Sequence, residues 1–292
     1  MPVKFTPRNE YDIFRSGIEA FGPLPDNLKK FLQRADYLFS VSEKGKQVYD
    51  MSVLSSDAVC PLRFTLNDSS GRGQLKDIIC SWMMEQKAYS ADLLKGYMEL
   101  FSTEAQFNIG MEYSVQPSSY RFPVVKLYYE DSTSVPEFFS SAGGKKKIRQ
   151  LFPELKDDSI IGHPDIICAD FFPGGRYDLK AYYARRKIKP ASAAVQFPPH
   201  YAEPPCFYYE MTGLLSGRKK QYMAYPVETQ INPQPDMLEI CRIFAEMKAA
   251  AALKIIKKWQ SAAAVSNSRI VPTLCSYSDK GNFSLYCRFA PK

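Results

Sequence analysis

Two stretches of the chain repeat one pattern. Val125-Lys126-Leu127-Tyr128-Tyr129 and Leu179-Lys180-Ala181-Tyr182-Tyr183 both read apolar, Lys, apolar, Tyr, Tyr. Each follows a turn-like segment, Pro117-Ser118-Ser119 or Pro173-Gly174-Gly175, and each turn follows a strand-like run, 109–115 or 166–172. Strand, short turn, strand is the signature of a β-hairpin. Turns this short join antiparallel neighbours only, which disfavours architectures with one parallel strand per helix.

The same unit recurs in weaker form three times. It spans 48–54 and 58–66 around Ser55-Ser56-Asp57, then 206–211 and 220–227, then 270–277 and 283–289. Five hairpins predict ten strands. Between most of them the apolar residues fall at helical spacing. One or two helices are expected over 74–101, with Leu75, Ile78, Trp82 and Met83 on one face. Ser134-Val135-Pro136-Glu137 opens another with a capping-box pattern, which continues to Leu151 with an interruption at Gly143-Gly144. A single long helix is expected over 236–264 and a shorter one over 27–38, while the Pro-rich connector 189–205 leaves the fourth unit without a full helix. The units run the length of the chain, so residues 1–292 are expected to form one domain. Its class is α+β: a closed ten-stranded antiparallel β-barrel, built from five hairpin units and ringed by helices. A barrel that wide leaves a lumen able to hold a ligand.

Alternate residues of a strand share a face. Lys126 therefore lies beside Tyr128, Lys180 beside Tyr182, Lys220 beside Tyr222, and Arg288 beside Tyr286, while Arg63 shares its face with Thr65. The opposite face carries Val125, Leu127, Leu179, Ala181, Leu285 and Phe289, which suits packing under helices. The cation-and-tyrosine face is then expected to line the lumen. Several cations converging on one cavity are costly unless an anion sits among them, and a diphosphate is the simplest such anion. Tyrosine rings beside it can stabilise a carbocation. A single K-x-Y strand is more often a solvated lysine next to a half-buried tyrosine; recurrence over successive hairpins is what favours a site.

Other features narrow the field. Lys and Arg number 38 against 31 Asp and Glu, for a net charge of +7, and aromatic residues make up 14% of the chain. No apolar run approaches a membrane span, and the N-terminus lacks the apolar core of a signal peptide, so a cytoplasmic protein is expected. Seven cysteines without a C-x-x-C pair argue against a disulfide framework or a structural zinc site, and two histidines, His163 and His200, supply no metal site. The segment from Gly213 to Lys220 lacks phosphate-loop spacing and reads as a hairpin turn with a basic tip. The Gly143–Lys147 run reads as a solvated basic stretch. Glu112 and Asp170 fall on strands and leave open whether they enter the lumen or face solvent.

The spaced motifs resemble the aromatic prenyltransferases of the barrel type built from αββα repeats (the ABBA fold), and within them the cyanobactin-type peptide prenyltransferases. The head, with Phe14-Arg15, Ala20-Phe21, Pro23-Leu24-Pro25 and Phe31, is similar to the opening of that family. Leu62-Arg63-Phe64 resembles its first hairpin, the two K-x-Y strands its second and third, Thr212-Gly213-Leu214 with Tyr222 to Tyr225 its fourth, and Leu285 to Phe289 its last. The resemblance implies a transferase that moves an allylic isoprenoid, dimethylallyl or geranyl, from its diphosphate co-substrate to Tyr, Trp or Arg of a small or cyclic peptide. That is natural-product (RiPP) chemistry of the cyanobactin kind. Carried over, Arg63, Lys126, Lys180, Lys220 and Arg288 would bind the diphosphate, and Tyr128, Tyr182, Tyr222 and Tyr286 would shield the allyl cation. Asp50 would orient or deprotonate the acceptor. Tyr208, Glu210 and Met211 would line the pocket that sets donor length or receives the acceptor. Relatives acting on phenols often carry a Mg2+-binding aspartate where Arg63 stands, so Mg2+ is compatible with the site but not strictly required, and no residue is assigned to metal. A monomer that binds no nucleic acid and no membrane is implied. The competing reading is a basic aromatic barrel that binds RNA or an isoprenoid without catalysis.

Overall fold

A computed structural model describes residues 14–15, 17–19, 23–41, 49–58, 61–68, 74–100, 106–113, 122–130, 134–156, 162–184, 207–226, 237–278 and 280–291. Ten strands form one closed antiparallel ladder. They are β1 (Tyr49–Leu54), β2 (Leu62–Asp68), β3 (Gln106–Tyr113), β4 (Val124–Glu130), β5 (Ile166–Phe171), β6 (Tyr177–Ala184), β7 (Phe207–Gly213), β8 (Lys219–Pro226), β9 (Ser268–Ser278) and β10 (Phe283–Pro291). Each strand pairs with its sequence neighbours, and β1 pairs with β10 to close the ring. Because the ladder runs antiparallel in sequence order, the strand ends joined within the five hairpins face one end of the barrel and the strand ends that lead to helices face the other. The ten-stranded barrel expected from the five hairpins is the observed fold.

Helices among the described residues include α1 (Asp26–Val41), α2 (Gln74–Gln86), α3 (Ala91–Met98), α4 (Ser134–Ser140), α5 (Ala142–Leu151), α6 (Met237–Glu246) and α7 (Ala250–Val265). The expected helix over 236–264 is two helices. Lys248 takes a left-handed φ of 56°. Its N–H bonds to the carbonyl of Ala245 and that of Ala249 to the carbonyl of Phe244, a Schellman end that terminates α6 although no glycine marks it. The break between α4 and α5 falls at Ser141 rather than at the glycines, because the Ser141 hydroxyl accepts from the Gly144 N–H and caps α5. The second strand of the first hairpin begins at Leu62, later than the expected position 58. The connector 189–205 and residues 20 and 21 of the head lie outside the described residues.

The core is the layer between helices and ladder. Tyr97 of α3 packs against Tyr129, Phe152 and Phe171, and its hydroxyl donates to the carbonyls of Leu127 and Ile167 at 2.9 and 3.3 Å. The Tyr129 hydroxyl donates to the carbonyl of Met98. Trp82 of α2 donates its indole N–H to the carbonyl of Asn27 at 2.8 Å. On the far side Phe244 of α6 packs on Phe283. Gly17 is needed where the leading residues cross β10, since a Cβ there would come within 2.3 Å of the Phe289 ring. No described helix is long and apolar enough to cross a membrane. These contacts place the outward face of the ladder: Val125, Leu127 and Tyr129 point under the helices and are fully buried, so Lys126 and Tyr128 point the other way.

Tyr97 ties α3 to two strands at once. Tyr97→Phe is expected to lower unfolding stability by about 1–2 kcal/mol, the range for losing a buried hydrogen-bond donor. Urea denaturation followed by near-ultraviolet circular dichroism measures it.

Candidate functional site

On β4 burial alternates strictly, half-buried then buried, from Val124 to Glu130. The outward residues are sealed by helices; the inward ones keep contact with space inside the barrel. Ladder pairs lie on the same face, so the register carries this assignment around the ring. Asp50 pairs with Thr65, Thr65 with Gly110, Gly110 with Lys126, Lys126 with Asp170, and Asp170 with Asp178. Lys180 pairs with Gly213, and Lys220 with Met211. Successive cations thus advance along the ladder toward the helix-connected end. Strands of a barrel tilt against its axis, so this stepwise advance keeps side chains at a common height around the lumen.

Arg63, Lys126, Lys180 and Lys220 all stand on the inward face and are half-buried, as are Tyr128, Tyr182, Tyr222 and Tyr286. The rings of Tyr128 and Tyr182 lie 6.4 Å apart. Burial pushes the hydroxyls of both far above the usual tyrosine range, so they remain neutral donors. Burial also raises Tyr286, with Arg63 acting to lower it and Asp50 to raise it, which places all three in one another's field. Arg288 follows Tyr286 by two residues on β10 and pairs with Val271. Gly110 leaves room for its neighbours: a Cβ there would lie 3.3 Å from Lys126 Cβ and 3.4 Å from the Tyr128 ring.

The cations do not stand alone. Arg63 donates to Asp57 through Nη1 and Nη2 at 3.2 and 3.1 Å and to Glu112 through Nε and Nη2 at 3.2 and 3.0 Å. Lys126 Nζ donates to Glu112 at 3.3 Å, and Lys180 to Asp170. Glu112 and Asp170 therefore enter the lumen, the question their sequence position left open. The expectation that only a bound anion could offset the converging cations does not hold: carboxylates of the chain already do so in part. Burial opposes the charge of Lys180, yet Asp170 holds its pKa above the ordinary lysine value. Burial likewise opposes the charge of Arg63, and Glu112 and Asp57 raise its pKa all the same. Each ammonium of Lys126 and Lys180 has three donors and uses one on its carboxylate, leaving two for a ligand. The carboxylates act as posts that aim the cations inward.

Asp50 is half-buried on the inward face and accepts a 2.6 Å hydrogen bond from Thr273 Oγ1. Thr273 reaches it because of a bulge: Tyr286 pairs with Leu274 and Cys287 with Pro272, so Thr273 is the extra residue of β9. The expected pocket residues Tyr208, Glu210 and Met211 are divided by alternation. Met211, only 5% exposed, lies inward between Tyr182 and Lys220, its ladder partners. Glu210 pairs with Tyr183 and Gln221 on the opposite face, which corrects its assignment to the pocket. Tyr208 pairs with Met223 in the ladder, and its side chain lies outside the described residues. Tyr209, opposite Tyr222, is the inward tyrosine of that strand.

Other inward residues went unassigned in the sequence. Glu130 follows Tyr128 by two positions and accepts from Asn108 Nδ2 at 3.1 Å. Asn67 pairs with Asn108, and Asn108 with Tyr128. The period of two alone could have found Glu130 and Asn108. Asp57, read as turn chemistry, and Thr273, reached only through the bulge, left no such signal.

No protein-family model and no curated protein matches this sequence. Solved structures do match. Prenyltransferase PriB, crystallised as a ternary complex with L-tryptophan and dimethylallyl thiolodiphosphate, is 12% identical with a TM-score of 0.61, covering 95% of each chain. NotF prenyltransferase is 12% identical with a TM-score of 0.58, covering 100% of this chain and 97% of its own. The 5-dimethylallyltryptophan synthase of Streptomyces coelicolor is 11% identical with a TM-score of 0.56, covering 96% and 95%. The fold is that of these ABBA-type barrels, from the leading helix to the last strand.

Glu112 gives the site a pH signature. Burial opposes its charge, but Lys126 and Arg63 hold its carboxyl down, from an ordinary 4.5 to about 2. The folded state therefore favours the ionised form, and the stabilisation is complete above pH 4.5 and lost as pH falls toward 2. Glu112→Gln is expected to be about 1–3 kcal/mol less stable than wild type at neutral pH, and the two should converge toward pH 2. Urea midpoints measured across that window check it.

Proposed function

We propose that the chain is a prenyltransferase, acting on an allylic diphosphate and a nucleophilic acceptor. One observation carries this reading: cation and tyrosine recur together on the inward face of successive strands of a closed barrel. Lys126, Lys180 and Lys220, with Arg63 and Arg288, supply charge-assisted donors to a diphosphate. Stabilising the leaving group's growing charge favours cleavage of the carbon–oxygen bond of the donor. Tyr128, Tyr182, Tyr222 and Tyr286 present π faces to the resulting allyl cation and crowd out water that would quench it. The acceptor's electron-rich atom then attacks the cation, and Asp50, oriented by Thr273, takes the released proton. The structures sharing this fold support the donor class, since PriB and NotF were each solved with a dimethylallyl thiolodiphosphate.

The acceptor in this reading is Tyr, Trp or Arg of a small or cyclic peptide, as the cyanobactin-like head and strand motifs imply. NotF was crystallised with brevianamide F, PriB and a 6-dimethylallyltryptophan synthase with tryptophan. Arg63 supports working without a strict Mg2+ requirement, because by the resemblance it takes the place where relatives acting on phenols often carry a metal-holding aspartate. A cytoplasmic monomer remains part of the proposal. The enclosed position of the tyrosines favours this reading over RNA binding, which needs aromatic faces open to bases.

Lys126 is the cleanest variant, because Glu112 keeps Arg63 when the lysine is removed. Arg63→Ala, by contrast, strands Asp57 and Glu112 together. Lys126→Ala is expected to lower turnover by about two orders of magnitude or more and leave the melting temperature within a few degrees. Products are read by mass spectrometry of cyclic-peptide panels incubated with five- and ten-carbon donors. Full activity in the variant would end the assignment. Stabilisation by dimethylallyl thiolodiphosphate with no product from any acceptor would favour an isoprenoid carrier instead. Met211 separates the two donors: Met211→Gly is expected to raise the ten- to five-carbon product ratio by about tenfold, as one side chain of pocket volume allows.

A further inference from the structure

Toward the helix-connected end of the barrel, the lumen wall of β2, β3 and β4 is built from hydrogen-bond acceptors. Glu130 is half-buried there and lies in no ion pair among the described residues. In this it differs from Asp57, Glu112 and Asp170, which each hold a cation of the diphosphate-facing layer. Burial pushes its carboxyl above the ordinary glutamate value, and only Asn108 works the other way. Asn108 is itself 8% exposed. Its Nδ2 donates to Glu130, while its Oδ1 is buried without a hydrogen-bond partner. Asn67, across the ladder from it, also buries an Oδ1 without a partner. Flipping the Asn108 amide would turn its oxygen toward the carboxylate, so Glu130 fixes which way that side chain points.

Two orphaned amide oxygens and a carboxylate that has an amide donor but no cation among the described residues are each costly when buried, and they adjoin one another. One kind of ligand relieves all three: a cation that carries several N–H donors. A diphosphate would be repelled by Glu130. A neutral aromatic ring would leave the carboxylate charge in place, and an allyl cation has no N–H for the amides. A hard metal ion is held mainly by clustered carboxylates, and no group of three or more His, Cys, Asp or Glu side chains that could hold one lies among the described residues. We infer that Glu130, Asn108 and Asn67 form an acceptor-recognition wall that takes an ammonium or guanidinium group of the substrate. The inference rests on the prenyl-transfer reading and names its acceptor class. The cationic group is an anchor rather than the attacking atom. Held beside Asn108, whose ladder partner is Tyr128, it places the rest of the acceptor against the rings that would shield the allyl cation.

The test uses calorimetric titration of the whole protein loaded with dimethylallyl thiolodiphosphate. The probes are N-acetyl-arginine amide, N-acetyl-lysine amide and the neutral N-acetyl-citrulline amide. Wild type is expected to bind at least one cationic probe about tenfold more tightly than citrulline amide, the margin of a buried charge-assisted contact. Glu130→Gln should lose that preference and Glu130→Asp should keep it, with the diphosphate analogue bound equally by all three. Which cationic probe binds more tightly assigns guanidinium or ammonium. A wild type that binds the analogue but shows no cation preference overturns the inference, and so does a Gln variant that retains the preference; prenyl transfer survives both results. Failure of wild type to bind the analogue brings down prenyl transfer itself, and the acceptor assignment with it.

Discussion

Closing ten antiparallel strands into a ring leaves each side chain two destinations, outward under the helices or inward toward the axis. Every other feature of the molecule depends on that division. Val125, Leu127 and Tyr129 take the outward role and build the layer that Tyr97, Trp82 and Phe244 complete. Their neighbours one residue away are released from packing duty and free to carry charge. Because the ladder has no edge, the assignment passes from strand to strand without interruption, and one register error would turn the cationic face into the greasy one.

The inward face is electrostatically layered. Near the hairpin turns, Asp57, Glu112 and Asp170 hold Arg63, Lys126 and Lys180. Pairs of this kind contribute little net stability when buried, since desolvation offsets their attraction. Their use here is positional. A lysine tethered at one donor points its remaining donors in a defined direction, so the anion proposed above would meet an arranged set of N–H groups rather than flexible chains. Farther along the axis the cations give way to tyrosines, and beyond these to the acceptor-rich wall of Asn67, Asn108 and Glu130. An ionising donor laid along this gradient would have its diphosphate and its hydrocarbon sorted by the walls alone.

Hairpin number, strand alternation and the facing of the K-x-Y pairs were readable in the sequence, because each rests on a local period of two that tertiary packing reinforces. What escaped were features set by partners distant in the chain. Glu112 sits on a strand whatever its role; only the arrival of Arg63 and Lys126 from neighbouring strands makes it a clamp. Glu210 and Tyr209 are adjacent in sequence and opposite in facing, so an error of one position exchanges a pocket residue for one on the other side. Lys248 ends a helix through a left-handed backbone turn that no glycine announces.

The bulge on β9 carries a different kind of implication. Elsewhere in the ring, losing or gaining one residue within a strand would invert every facing beyond it. At Thr273 it would not, because that residue is surplus to the pairing of Leu274 with Tyr286 and of Pro272 with Cys287. The chain can therefore add or drop the hydroxyl that steadies Asp50 by a change of a single codon, with the barrel's phase intact on both sides. Among the described strands, this bulge is where the setting of Asp50, the proposed proton acceptor, can change while the pairing on either side keeps its phase.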